Sequence, residues 1–235
     1  MPDLGPRADD YLPAAGLDVL QRRAELLHRV RAFFDARGFL EVETPQLSAD
    51  VVVDRHLEPF AVVAPADAGP PQPRWLQTSP EFAMKRLLAA GATAIYQVCH
   101  VFRRGELGPL HNPEFTMVEW YRAGDGMAEG MQLTSDLCAA LLGRGPAEQL
   151  SYGAAFVRHA GLDPHTADGA TLRRAAVERG IAVPASLAAA DRDGWLDLLL
   201  TELVQPHLGL GRPLLLYDYP ASQSFSAVMR AAVSS

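Results

Sequence analysis

The sequence predicts an α+β fold in which an antiparallel sheet is flanked by helices and carries a helical insertion. Residues 95–103 and 114–122 are rich in β-branched and aromatic side chains, and the loop between them contains two glycines and two prolines, a pattern typical of strand, loop and strand. Apolar residues recur at helical spacing over 20–34, which predicts a flanking helix. Residues 151–208 show short helical patterns, and an apolar strand follows at 213–219.

Length and composition favour one globular domain over residues 1–235. The 235 residues are 49% hydrophobic, which is enough for a sizeable core. The net charge of −7 and the absence of a basic run disfavour extensive nucleic-acid binding. Cys99 and Cys138 are the only cysteines, no apolar run is long enough to cross a bilayer, and the N-terminus lacks a secretion signal. We therefore expect a cytoplasmic protein without a membrane partner.

The first predicted helix has about five turns. Its apolar positions are Leu20, Ala24, Leu27, Val30 and Phe34. Asp18 is the expected N-cap, and Gly38 follows the expected end. Residues 39–44 then alternate apolar and acidic side chains before Pro45, which predicts a strand ended by proline.

A second helix is predicted to begin at Ser79 and Pro80, as N-cap and first helical residue, and to end at Gly91. Glu81 then lies in the first turn. By itself, a glutamate at this position indicates stabilisation of the helix dipole.

The two long strands are predicted to present charged side chains on defined faces. With a side-chain period of two, Arg103 shares a face with Cys99, while Glu119 and Tyr121 share a face of the second strand. At the return of the intervening loop lie His111 and Asn112. A guanidinium and a carboxylate on neighbouring strands indicate a site for a ligand that bears both charges.

Within this region, F-R-x-x-E followed by HNPEFTMVEWY resembles motif 2 of the class II aminoacyl-tRNA synthetases in its lysyl form. RAFFDARGFLEVETPQLS (31–48) resembles motif 1, LQTSPEFAMKRLL (76–88) resembles the substrate-binding TSPE segment, and YDYPASQ (217–223) resembles a later strand. The likeness covers roughly residues 20–223. It is strongest to the stand-alone lysyl-synthetase paralogues that ligate (R)-β-lysine to elongation factor P.

This resemblance implies a class II synthetase-like antiparallel sheet and an ATP- and Mg²⁺-dependent ligase. Its substrate would be (R)-β-lysine or lysine, activated as an adenylate and passed to a lysine of elongation factor P without tRNA. The stretch before motif 1 is too short for an anticodon-binding barrel. The helix and strand of motif 1 imply a homodimer, although a helix packed on its own sheet would explain the same periodicity.

The resemblance also implies roles for individual residues. Arg103 would be the catalytic cation that bridges the substrate carboxylate and the α-phosphate of ATP. Other ATP contacts would come from Arg104, Gly105, Glu106, His111 and Asn112, and contacts to the amino-acid substrate from Ser79, Pro80, Glu81, Glu119 and Tyr121. The family usually has an acid where Gly105 stands, and here Glu106 follows it.

A second departure from the family lies after YDYPASQ, where the motif 3 arginine and the metal-binding acids are expected. The sequence there reads SFSAVMRAAVSS, so no metal ligand is assigned. We expect the domain to be incomplete at its C-terminus and the chain alone to be inactive. Two alternatives stay open: a truncated, catalytically inactive paralogue, and a compact lysyl-tRNA synthetase-like ligase with another acceptor.

The helical insertion and the segment at its end contain two candidate ligand-binding features. His159, His165 and His207 lack the spacing of metal ligands, so exposed or capping roles are expected. The GLGR segment at 209–212 suggests a phosphate loop, but it precedes a strand rather than a helix, which argues against that function.

Overall fold

The computed structural model describes residues 15–52, 57–63 and 73–223. The chain divides into two compact units, the first ending at Ala128 and the second beginning at Glu129. The assignment of residues 1–235 to a single domain stays a prediction. The segment in which motif 3 was sought, 224–235, lies outside the described residues.

The described part of unit 1 contains two long strands, several short ones and two helices. Its elements are α1 (Leu17–Asp35), β1 (Leu40–Glu41), β2 (Leu47–Ser48), β3 (Ala61–Val62), β4 (Arg74–Leu76), α2 (Glu81–Ala89), β5 (Ala94–Phe102) and β6 (Glu114–Arg122). Helix α3 (Met127–Leu142) starts at the end of this unit and continues into the next.

Strands β5 and β6 form an antiparallel hairpin in which Gln97 pairs with Glu119. Strand β1 adds to β5 in parallel, and β2, β4 and β3 form a separate antiparallel sheet. The predicted hairpin and the α+β class are therefore confirmed. The parallel addition of β1 was not predicted, because a two-residue strand carries no periodic signal of its direction.

Helix α1 packs on one face of the hairpin. The ring of Phe34 stacks on Tyr96 at a centroid distance of 4.6 Å and lies 5.4 Å from Trp120. Tyr96 and Trp120 are paired across the hairpin. Because successive side chains point to opposite faces, Glu119 and Tyr121 lie on the face away from these aromatic contacts.

The start of α1 differs from its prediction. The helix begins at Leu17 with Gly16 as its N-cap, so Asp18 lies in the first turn, where an acid still complements the helix dipole. Gly38 follows the helix with φ +74, as predicted for a glycine after a C-terminus. Only the C-terminal half of the predicted apolar stripe is buried, at Val30 and Phe34; Leu20 is 44% exposed.

Unit 2 is mainly helical in its described residues. After α3 come β7 (Glu148–Ser151), α4 (Tyr152–Ala160), α5 (Gly169–Glu178), α6 (Arg192–Leu199), a π-helical turn (Leu200–Val204), a 3₁₀ turn (Gln205–His207), β8 (Leu214–Tyr217) and a last 3₁₀ turn (Ala221–Gln223). The helices fall in the segment predicted to be helical. The four-residue strand β7, which pairs in parallel with β8, was missed.

The helices of unit 2 have side-chain caps and a common apolar core. Ser151, Asp168 and Asp191 each accept a backbone N–H bond at the start of α4, α5 and α6. The core is a contiguous cluster that includes Tyr152, Phe156, Leu172, Trp195, Leu196, Leu199 and Val204. In the part of the chain that the structure describes, no helix combines the length and apolar character needed to cross a membrane.

Candidate ligand-binding site on the hairpin

Glu119 and Tyr121 form a hydrogen-bonded pair on β6. The Tyr121 hydroxyl donates to Glu119 Oε1 over 2.6 Å, and both side chains are partly buried. They point the same way because they are two residues apart in a strand. The predicted juxtaposition of these two side chains is present.

Helix α2 brings a second acid, Glu81, with a cation bound to it. Lys85, the only lysine of the chain, donates from Nζ to Glu81 Oε1 over 2.5 Å, one helical turn away. Pro80, which is buried, is the N-cap and Glu81 the first helical residue, one position later than predicted. Ser79 still contributes to the helix start, since its Oγ accepts from the Glu81 N–H at 3.4 Å.

The electrostatic environment of Glu119 shows that these segments converge. Burial raises the pKa of Glu119, the hydrogen bond from Tyr121 opposes that rise, and the negative charge of Glu81 adds to it. The positive charges of Lys85 and Arg103 act in the opposite direction. Burial also raises the pKa of Tyr121, as do Glu119 and Glu81, so the phenol stays protonated and remains a donor. The site thus holds two acids, a phenol and two cations.

Arg103 follows β5 directly and is held from several sides. Its backbone N–H donates to the Pro113 carbonyl at 2.8 Å, and its Nε donates to the Thr78 carbonyl at 3.3 Å. The guanidinium lies over the Phe115 ring at 5.1 Å, and Nη1 lies 3.8 Å from Glu106 Oε1. The cation is therefore oriented by the TSPE backbone and by the hairpin at once.

The conformation of the loop after Arg103 explains how Glu106, one position later than the acid usual in the family, lies near the Arg103 guanidinium. Gly105 has φ +85, a conformation that favours glycine, and the chain then turns so that Glu106 faces back toward Arg103. Arg104 takes another direction, since its Nη2 lies 2.5 Å from Glu58 Oε2 and its side chain is mostly exposed. The structure thus brings Glu106, but not Arg104, to the Arg103 guanidinium.

The remaining predicted ATP residues lie at the exposed return of the loop. His111 exchanges two backbone hydrogen bonds with Gly108, which closes a tight turn at the loop tip. Asn112 follows it and is also exposed. Both residues are close in sequence to β6, and their predicted contacts with ATP stay predictions.

Thr78 is a polar residue of the site that the sequence reasoning did not single out. It is fully buried, and its hydroxyl has no hydrogen-bond partner among the described residues. Buried hydroxyls nearly always have a partner, so this one is available to a ligand or a water molecule. The signal was present in the sequence, because Thr78 directly precedes Ser79 in the TSPE segment.

The described residues offer no metal centre of their own. Within 15–52, 57–63 and 73–223, no group of three or more His, Cys, Asp or Glu side chains is placed to hold a metal ion.

A hairpin with an arginine at its loop end, a carboxylate and a phenol on one face and a packed helix on the other defines a class of protein. The sequence profile of the tRNA synthetases class II (D, K and N) matches residues 12–156, which is more than half of the chain. The chain belongs to this family. Most of the helical insertion lies beyond the matched residues.

Three curated relatives are similar to the chain over most of its length. The chain is 45% identical over 216 residues to the elongation factor P--(R)-beta-lysine ligase of Sodalis glossinidius (strain morsitans). It is 44% identical over 218 residues to the ligase of the same name from Salmonella typhi, and 45% identical over 218 residues to that of Salmonella arizonae. In each case the match covers 91% of this chain and 66% of the relative, so the chain spans slightly less than two-thirds of their length.

Proposed function

We propose that this chain activates (R)-β-lysine, or lysine, as an aminoacyl-adenylate and passes the acyl group to a lysine side chain of elongation factor P. The observation that carries this proposal is the pair of acids, Glu81 and Glu119, that converges with Arg103. A diamino acid has two ammonium groups and one carboxylate. The site offers the complementary set of charges.

In this proposal the amine contacts are Glu119, the Tyr121 hydroxyl and Glu81, with Ser79 and Pro80 shaping the start of α2. Lys85 already neutralises Glu81 in the free protein, so a substrate ammonium would share or replace that partner. Buried acids without such a partner would be costly, which favours binding of a cation here. Arg103 would hold the substrate carboxylate through its planar fork.

The cationic Arg103 favours binding of ATP in the same region. When bound, ATP would supply the adenylyl group that activates the carboxylate, while its β- and γ-phosphates would leave as pyrophosphate. Arg103 would contact the α-phosphate, with Gly105, Glu106, His111 and Asn112 nearer the nucleotide and Arg104 at the edge of the loop. Mg²⁺ accompanies ATP in this proposal, but the described residues do not form a metal cluster, and no step is assigned to the metal.

We propose elongation factor P as the acceptor because the relatives are named elongation factor P--(R)-beta-lysine ligases. We expect a cytoplasmic reaction that does not use tRNA, and the net charge of −7 agrees with weak binding to a polyanion. A homodimer is also proposed. Its support is a pair of exposed apolar residues one helical turn apart on α1, Leu17 and Leu20, which a second copy could cover.

The test is amino-acid-dependent ATP–pyrophosphate exchange, followed by intact-mass measurement of elongation factor P. The assay compares (R)-β-lysine, (S)-β-lysine and L-lysine with norleucine, which lacks the side-chain amine. It is run with this chain and with the chain extended by the part of the Sodalis glossinidius relative that it does not span. In whichever form is active, we expect exchange with a lysine isomer but not with norleucine, and a mass increase of one lysyl group on elongation factor P.

The same assay separates the alternatives. Exchange that norleucine supports equally would contradict the roles of Glu81 and Glu119. A folded, extended protein that binds a lysine isomer in calorimetry but gives no exchange would favour an inactive binding paralogue. Transfer to tRNA rather than to elongation factor P would favour the synthetase-like alternative.

A further inference from the structure

A cavity of about 530 Å³ in unit 2 is lined by three arginines and two histidines. They come from different parts of the unit and are Arg144, Arg158, His159, His207 and Arg212, with Glu148 beside them. Most of these residues lie beyond residue 156, where the family match ends. The chain has a net charge of −7, whereas the three arginines and one glutamate at this cavity give it a net positive charge.

Two histidines form part of the wall. His159 of α4 and His207 of the 3₁₀ turn stack with their ring centroids 4.7 Å apart and their planes 5° from parallel. Burial lowers the pKa of His159, and the neighbouring His207 and Arg158 lower it further. The surroundings therefore disfavour another positive charge, and a bound anion would relieve that repulsion.

Glu148 does not neutralise the cluster. It is the one acid among the described residues that line the cavity, and its Oε2 lies 3.9 Å from Arg212 Nη2, with both side chains about half exposed. A pair this long and this exposed contributes little. Arg144 and Arg158 remain as further cations at the same cavity.

The GLGR segment lies along this cavity. Its glycines Gly209 and Gly211 are lining residues, and Gly209 has φ +67, which a residue with a side chain would adopt only under strain. The segment precedes β8, as expected from the sequence, so it is not the start of a helix. Its position next to the arginines is nevertheless compatible with anion binding, although the sequence pattern argues against a phosphate loop at 209–212.

We propose that this cavity binds the phosphate group of a small molecule. Its volume lies within the range of roughly 300–1,000 Å³ that is usual for small-molecule sites, which favours a small ligand over an extended polymer. Guanidinium groups match phosphate oxygens with two parallel hydrogen bonds, and several of them converge here. This site goes beyond the proposed ligase activity and does not depend on it.

The test is a titration of the chain with inorganic phosphate, pyrophosphate and AMP, without divalent metal and at 150 mM NaCl. Imidazole ¹⁵N and ¹H resonances are followed by NMR, and His159→Gln and His207→Gln assign the two signals. We expect a saturable shift of both signals with at least one of the three probes. Arg158→Gln and Arg212→Gln should each weaken binding about tenfold. In the control Arg173→Gln, on the exposed surface of α5, binding should change less than twofold.

The three probes also identify the source of the phosphate. Tighter binding of pyrophosphate than of AMP would support an inorganic or polyphosphate ligand, and the reverse order would support a nucleotide. No saturable shift of His159 and His207 with any probe up to 10 mM would overturn the proposal. An equal loss in Arg173→Gln would overturn it too, because the effect would then be one of overall charge. The titration of the unaltered chain tests whether the cavity binds a phosphate group even if an arginine variant fails to fold.

Discussion

The two units differ in the side chains that they bury. Four of the five buried polar residues of the described chain lie in unit 1, at Thr44, Gln77, Thr78 and Gln97. The core of unit 2 is a cluster of aliphatic and aromatic residues, and its charged groups lie at the surface or along the cationic cavity. Buried polar groups cost free energy unless they are paired. In unit 1 these groups are largely paired with one another or with the backbone, since Thr44 Oγ1 donates to Gln97 Oε1 and Gln77 Nε2 donates to the His100 carbonyl. Unit 1 therefore organises its interior with specific hydrogen bonds, and unit 2 with apolar packing.

The largest expected effect tests the apolar core of unit 2. Phe156, fully buried and stacked on Tyr152 at 4.6 Å, is changed to alanine. We expect the free energy of unfolding to fall by about 3–5 kcal/mol, since the large side chain leaves a cavity. Urea denaturation measures the loss. The neighbouring Val157→Ala, at a residue 57% exposed, should change stability by less than about 0.5 kcal/mol; equal losses would contradict the proposed core.

The next effect concerns the cation of unit 1. Arg103→Ala should reduce adenylate formation by about 10²-fold or more, because a preorganised charge partner is removed. That loss corresponds to roughly 2.7 kcal/mol in the activation barrier. Pyrophosphate exchange measures it in whichever form of the protein is active. Arg173→Ala on the surface of unit 2 is the matched control, and retained exchange in Arg103→Ala would remove Arg103 from the proposed mechanism.

A somewhat smaller effect is expected for the acid on β6. Glu119→Gln keeps the shape of the side chain but replaces a charge-assisted bond with a neutral one, so binding of a diamino acid should weaken by about 1.5–3 kcal/mol. Isothermal titration calorimetry measures the affinity. Glu114→Gln, at the exposed end of the same strand, should leave the affinity nearly unchanged. If both variants bind equally well, the amine pocket lies elsewhere.

The smallest expected effect is a pH dependence of the free energy of unfolding that is caused by the titration of Glu119. Because burial raises its pKa in the folded state above the usual 4.5, the folded chain keeps this proton where the unfolded chain has lost it. The free energy of unfolding should therefore fall as pH rises from about 4.5 through the raised pKa, and level off above it.

Glu119→Gln lacks this titration. The stability of the unaltered chain minus that of Glu119→Gln should thus decrease over the same pH range in urea denaturation. Glu25→Gln, at an exposed position on α1, should show no such trend. A difference that stays flat or rises with pH would mean that the Glu119 carboxylate is stabilised, rather than destabilised, by its surroundings.

Much of the fold and part of the candidate site could be predicted from local patterns. Strands β5 and β6 were found because glycines and prolines interrupt two β-branched segments, and Glu119 and Tyr121 were placed on one face because a strand has a period of two. The N-cap of α1 was misplaced by two residues, since glycine and aspartate both favour helix starts and only the hydrogen bonds distinguish them. The short strands β1 and β7 were missed or misread because two to four residues carry little periodicity.

The sequence by itself determined the hairpin, its faces and the helical segments, since these depend on neighbouring residues and on backbone geometry. Only the tertiary structure decided which distant groups meet: Glu81 and Lys85 with Glu119, the return of Glu106 to Arg103, and the stacking of His159 on His207 across 48 positions of sequence. Contacts of this kind require closure of long loops and packing of whole elements. They leave no regular spacing in the sequence, so the acidic site and the cationic cavity became visible only in the folded chain.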